Sequence, residues 1–130
     1  MKLLVTGDRN WNDVGRVVEL FSTLPSDTTL VHGACRGLDN TAAAVAESLG
    51  WNIKPYPADW ARYPRAAGPI RNQQMLDLEN LPDDPFTECW AFHNDFASSK
   101  GTRDMVRRAR KAGVRTRLFT STGEVSLDEP

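Results

Sequence analysis

Short apolar runs cut by glycine or proline turns, alternating with helix-period segments, constrain this chain more than any single motif does. Lys2–Thr6 ends at Gly7, and Asp13 can then cap a helix in which Val14, Val17, Val18, Phe21 and Leu24 recur until Pro25. Thr28–His32 is a second strand, followed by a helical run over Thr41–Leu49 that Gly50 ends. Trp51–Tyr56 alternates weakly, and Pro55 and Pro57 demote it to an edge strand. After the loop ADWARYPRAAGP, helical spacing resumes from Ile70 through Met75 and Leu78. Phe86–Phe92 is a fourth strand. Thr102 is a candidate cap for a helix with Met105, Val106, Ala109 and Ala112 facing inward, and Val114–Thr120 is a fifth strand.

A β-α-β-α-β-α-β-α-β order calls for a mostly parallel five-stranded sheet with helices on both faces, joined by right-handed crossovers. One domain over residues 1–120 and a frayed tail over 121–130 are expected. Ligands of such sheets bind beyond the carboxyl ends of the strands, where strand order reverses. The turns GDRNWND, GACRGLD and HNDFASSKGT converge there, and the polar loop before the third helix can reach the same rim.

Within LVHGACRGLD, a strand feeds a turn marked by Gly33 and Gly37 and opens into a helix. Backbone N–H groups and the helix dipole at such a place favour an anion, and Arg36 adds a cation able to hold two oxygens. The alternative is an ordinary turn capped by Asp39 or Asn40. Arg9, Arg36 and Arg71 are the candidate cations of the rim; Asp8, Asp39, Asp59 and Asp104 are the candidate acids. Trp11, Trp60 and Tyr63 lie in loops, where an aromatic ring can stack on a base or cap the core. Asp104 can serve chemistry or pair with Arg107 or Arg108 on its own helix. His32 and His93 read as structural, and Cys35 as a small residue filling the turn.

Sixteen Lys and Arg nearly balance seventeen Asp and Glu, which removes a bulk electrostatic case for nucleic acid. No apolar run is long enough to span a bilayer, and residues 1–7 enter a strand pattern without a signal peptide's regions, so a cytoplasmic protein is expected. Cys35 and Cys89 make neither a disulfide framework nor a metal spacing, and no Walker A, GxGxxG, HExxH or GxSxG motif is present. Neither a metal nor a cofactor is expected.

Taken together, GDRNW, VHGACRGLD, PADWARYPRAAGPIRNQQM and KGTRDMVRRARKAG resemble the small SLOG proteins, especially those with the DUF2493 (YspA-type) domain found in bacteria and their phages. The resemblance spans about Met1–Phe119. It implies a Rossmann-like three-layer sandwich and a rim site for a nucleoside phosphate, with Gly33, Arg36, Gly37 and Asp39 matching the family's glycine-rich turn. The ligand-binding residues expected on the rim are Gly7, Asp8, Arg9, Trp11, Gly33, Cys35, Arg36, Gly37, Asp39, Asp59, Trp60, Asn72, Gly101 and Thr102. Arg71 and Met75 match the RxxxM of the LOG-type phosphoribohydrolases, and Gly101 and Thr102 match the GT of their PGGxGTxxE motif. The PGG half is replaced by HNDFASS. The motif's glutamate falls on Met105, with Asp104 one position earlier and about 100° around the helix axis.

Three functions follow from these features. Phosphate-holding turns with an incomplete catalytic motif favour a protein that binds a nucleotide or ADP-ribose derivative to sense or sequester it. The alternative is a nucleoside 5′-monophosphate N-glycosidase with Arg71 and Asp104 as catalytic residues. Single-stranded DNA binding, prompted by the likeness of GACRGLD to DNA-processing protein A, ranks third. Pairing into homodimers or higher homo-oligomers is common among the relatives.

Overall fold

The computed structural model describes residues 1–127. Six strands form one sheet: β1 (Lys2–Gly7), β2 (Thr29–His32), β3 (Asn52–Pro55), β4 (Glu88–Phe92), β5 (Thr116–Phe119) and β6 (Glu124–Val125). Four helices connect the first five strands: α1 (Val14–Phe21), α2 (Leu38–Ser48), α3 (Ala67–Glu79) and α4 (Gly101–Lys111). The spatial order is β3-β2-β1-β4-β5-β6, parallel except for the antiparallel β5–β6 pair. Strand order therefore reverses between β1 and β4, whose carboxyl ends at Gly7 and Phe92 are in register.

Side chains alternate across β1, so its residues serve both faces of the sheet. Leu3 and Val5 join Leu30, Phe92 and Phe119 beneath α1 and α2, while Leu4 joins Val31, Cys89, Met75 and Met105 beneath α3 and α4. All three of those β1 side chains are fully buried, each contributing about 1.5–3 kcal/mol of apolar transfer. Ala42 and Ala46 bring α2 close to the sheet, and Phe21 of α1 stacks on Trp51 at 4.8 Å. The result is a Rossmann-like three-layer α/β sandwich.

The structure departs from the sequence expectations at four places. The tail reading fails at Glu124–Val125, where β6 pairs with β5 and Arg117 clasps Glu124, making six strands instead of five. The last residues of the expected tail, 128–130, lie outside the described residues. In α1, Val17 and Phe21 are buried but Val14 and Val18 are exposed, and the helix stops before Leu24. In α3, Ile70 and Leu78 point outward while Arg71, Asn72 and Glu79 are buried beside Met75. Glu79 can be internal because Lys2, Lys54 and the Tyr56 hydroxyl all reach its carboxylate. Ala112 lies past the end of α4 and is exposed.

Candidate functional site

The β2–α2 turn is the centre of the rim. Gly37 occupies the N-cap position of α2 at φ +75°, so the helix begins earlier than an Asp39 cap would require, and Asp39 falls in its first turn. Its carboxylate turns back on the loop instead: Oδ2 accepts the N–H groups of Gly33 (3.0 Å) and Cys35 (3.3 Å). The other oxygen, Oδ1, is buried without a partner among the described residues. Burial, only partly offset by those N–H groups and the charge of Arg71, pushes the Asp39 carboxyl up to about 6. His32, lowered by burial and by Arg71, accepts the Ala34 N–H on Nδ1 at 2.9 Å, which places the neutral ring's proton on Nε2.

With those donors committed, the N–H groups of Arg36, Gly37 and Asp39 have no partner among the described residues and open the α2 N-terminus. The side chains of Arg9 and Arg36 are exposed and unpaired beside them. Their two turns touch. Leu38 N–H donates to Asp8 O at 3.0 Å, and a Cβ on Gly37 would overlap the Arg9 carbonyl group and lie 2.5 Å from Asp8 O. Gly7 lies directly beneath Leu38 in the same junction.

Arg71 is a buried strut. Its Nη1 donates to Gly33 O and, at 3.3 Å, to Tyr56 O, while Nη2 lies 3.6 Å from Cys35 Sγ. Nε donates to Asn72 Oδ1, and Asn72 Nδ2 donates to Asp104 Oδ2 at 3.0 Å. A Cβ on Gly33 would meet that guanidinium, so a side chain there would displace Arg71 from its place. One arginine thus ties the turn after β2 to the loop after β3, and through Asn72 to α4.

Asp104 pairs with both Arg107 (2.7 Å) and Arg108 (2.9 Å), and Arg108 also reaches Gln73 of α3. Burial alone would raise its carboxyl, but the bonds from Arg108 and Asn72 and the two guanidinium charges hold it below the ordinary range. An Asp104→Asn variant is expected to lose about 1–2 kcal/mol in urea unfolding, by weakening the α3–α4 contact. An unchanged midpoint would show that the ion triad carries no stability.

The remaining predicted residues divide between the rim and the interior. Asp8 faces His93 Nε2 at 3.8 Å and accepts the Asn10 N–H. Asp59 is exposed and accepts the Arg62 N–H at 3.1 Å, and Trp60 is exposed near Gly68. Gly101 is exposed with open space around it. Trp11 and Thr102 are corrections. Trp11 is buried edge-on against Phe92 at 5.6 Å, its indole N–H donating to Asp13 O, and it caps the core with no face left for a base. Thr102 is buried in α4, whose N-cap position belongs to Lys100. Sequence reasoning passed over Arg62, Arg65 and Lys100, exposed cations of the rim; their place in the loops that run from strand ends to the next helices was the available signal. A hollow of about 430 Å³ beside Ile70, Gln73 and Arg108 lies on the outer side of α3, away from the β2–α2 turn.

A glycine-built turn opening a helix at the reversal point of a mostly parallel sheet defines a Rossmann-like rim site. Residues 1–63, just under half of the chain, match the family described as YAcAr: YspA, cpYpsA-related SLOG family. The matched stretch contains both touching turns, with Arg9, Gly33, Arg36, Gly37 and Asp39; Arg71, Asn72 and Asp104 lie beyond it. No curated protein matches the chain. No helix among the described residues is long and apolar enough to cross a membrane.

Proposed function

We propose that this chain binds a nucleotide or ADP-ribose-derived small molecule at the C-terminal rim of the sheet, in order to sense or sequester it. The observation that carries the reading is the open α2 N-terminus, where three N–H groups and the side chains of Arg9 and Arg36 have no partner among the described residues. Such a place attracts phosphate through hydrogen bonds, helix dipole and full charge together. The match of residues 1–63 to a SLOG family agrees with a nucleotide-related ligand. The buried Asp39 carboxylate supports it further, because a charge held at a cost to stability marks functional places more often than scaffold.

Binding fits better than N-glycosidic cleavage. Both Asp104 oxygens are held by Arg107, Arg108 and Asn72, and Arg71 is spent on backbone carbonyls and Asn72. Calorimetry with nucleoside monophosphates, ADP-ribose and its cyclic isomers is expected to give micromolar binding for at least one of them. Arg36→Ala should weaken it about tenfold or more while circular dichroism stays unchanged. Absence of heat from every ligand, or an Arg36→Ala variant that binds as well as the parent, would sink the reading; release of free base would move it to the glycosidase.

A further inference from the structure

Several of the chain's cations are paired with carboxylates. Lys2 and Lys54 hold Glu79, Arg16 holds Glu19, Arg107 and Arg108 hold Asp104, and Arg117 holds Glu88 and Glu124. Arg9, Arg36, Arg62, Arg65 and Lys100 differ: all five are exposed and have no carboxylate partner among the described residues, and Arg103, in the first turn of α4, lacks one too but gives its guanidinium to Ala97 O. The five follow β1, β2, β3 and β4, so the fold gathers them at the carboxyl ends of four adjacent strands. Lys111, likewise unpaired among the described residues, ends α4.

The acids of that rim do not cancel these charges by contact. Asp8 is engaged by His93 and a backbone N–H, Asp59 by the Arg62 N–H, and Asp104 by its arginines, while Asp39 is buried. Asp95 is the exposed carboxylate left without a bond to its side chain among the described residues. Unpaired like charges on one small surface repel one another and favour a polyanion. One phosphate at the α2 N-terminus would engage Arg9 and Arg36, from the two touching turns. It leaves Arg62, Arg65 and Lys100, on the other two turns, without a counterpart.

We propose that the site takes a nucleotide carrying at least two phosphate groups: a nucleoside di- or triphosphate, or a dinucleotide joined through pyrophosphate. The first phosphate rests on the α2 N-terminus with Arg9 and Arg36, and the next is met by Arg62, Arg65 and Lys100. The inference rests on the rim-binding reading above and adds the charge of the ligand. Trp60, exposed in the same loop as Arg62 and Arg65, offers an indole face for a base.

The test titrates the full chain with phosphate, pyrophosphate and tripolyphosphate, which need no base, and with AMP and ADP. Heat is the main readout. Trp60 fluorescence is a second one, since Trp11, Trp51 and Trp90 are buried. Affinity is expected to rise about tenfold from phosphate to pyrophosphate at low salt. In R62Q/R65Q/K100Q that ratio should fall to about one, whereas K111Q should keep it. Equal binding of phosphate and pyrophosphate overturns the proposal and leaves a monophosphate site standing, as does a ratio that survives in the triple variant. Binding of none of the five probes overturns the proposal, and the rim-binding reading falls with it only when ADP-ribose and its cyclic isomers also give no heat. Affinity for a single-stranded oligonucleotide that grows with its length and exceeds that for ADP replaces the small molecule with nucleic acid.

Discussion

Gly37→Ala is expected to destabilise the protein by about 4 kcal/mol and to disturb two turns at once. Two costs add at this position. The backbone sits at φ +75° and ψ −122°, a region open to glycine and costly for any residue with a Cβ. The new methyl would also run into the backbone of Asp8 and Arg9, which cannot rotate away as a side chain could. Gly50 offers a comparison without the contact, since its φ is also positive, at +76°, and an added Cβ meets nothing within 4 Å. Gly50→Ala should therefore cost only about 1 kcal/mol, the strain alone. Urea unfolding of both variants gives the comparison. Equal losses would mean that contact between the β1–α1 and β2–α2 turns contributes nothing measurable.

Asp39→Asn should remove a pH dependence worth roughly 3 kcal/mol between about pH 4 and pH 6. An ordinary aspartate titrates near 3.8, but burial pushes this one up to about 6. Below the lower value the group is protonated in both folded and unfolded chains, and its full contribution to stability is present. As pH rises, the unfolded chain ionises first, so stability falls until the folded carboxyl has also ionised near pH 6; above that the loss is complete. Asparagine keeps an oxygen for the Gly33 and Cys35 N–H groups and has no proton to lose. Relative to the parent, the variant should gain stability from acid to neutral pH. Guanidinium titrations on either side of the window measure this. A difference between the two proteins that stays constant with pH would show that Asp39 titrates normally.

The layered fold is legible because its punctuation is local. Glycines or prolines bound the apolar runs, Asp13 caps α1 by accepting the Arg16 N–H, and prolines mark β3 as the edge it is. The inward face of α3 is not legible. Apolar spacing favours Ile70 and Leu78, yet Arg71, Asn72 and Glu79 turn inward because partners distant in sequence satisfy them: Gly33 O, Asp104 and Lys2. The touching turns of the rim follow from the glycine spacing, but the role of Asp39 does not. A carboxylate near a helix start reads as a cap, and only the fold shows Gly37 taking that position while Asp39 fastens the loop. Trp11 misleads for a similar reason: it follows a turn in sequence yet closes over Phe92 in space. Two-residue β6 leaves no periodic signal at all.

That short strand has a consequence for how copies of the chain can meet. A bare sheet edge invites a strand from another molecule, and lasting fibres grow that way. Here β6 covers the free side of β5 with only Glu124 and Val125, too brief a template for a stable addition. At the far side, β3 ends in Pro55, with Pro57 just beyond, so the backbone lacks two of the N–H groups an incoming strand would use. Neither border offers a long, regular row of donors and acceptors, so sheet-to-sheet growth is blunted at both ends of the molecule.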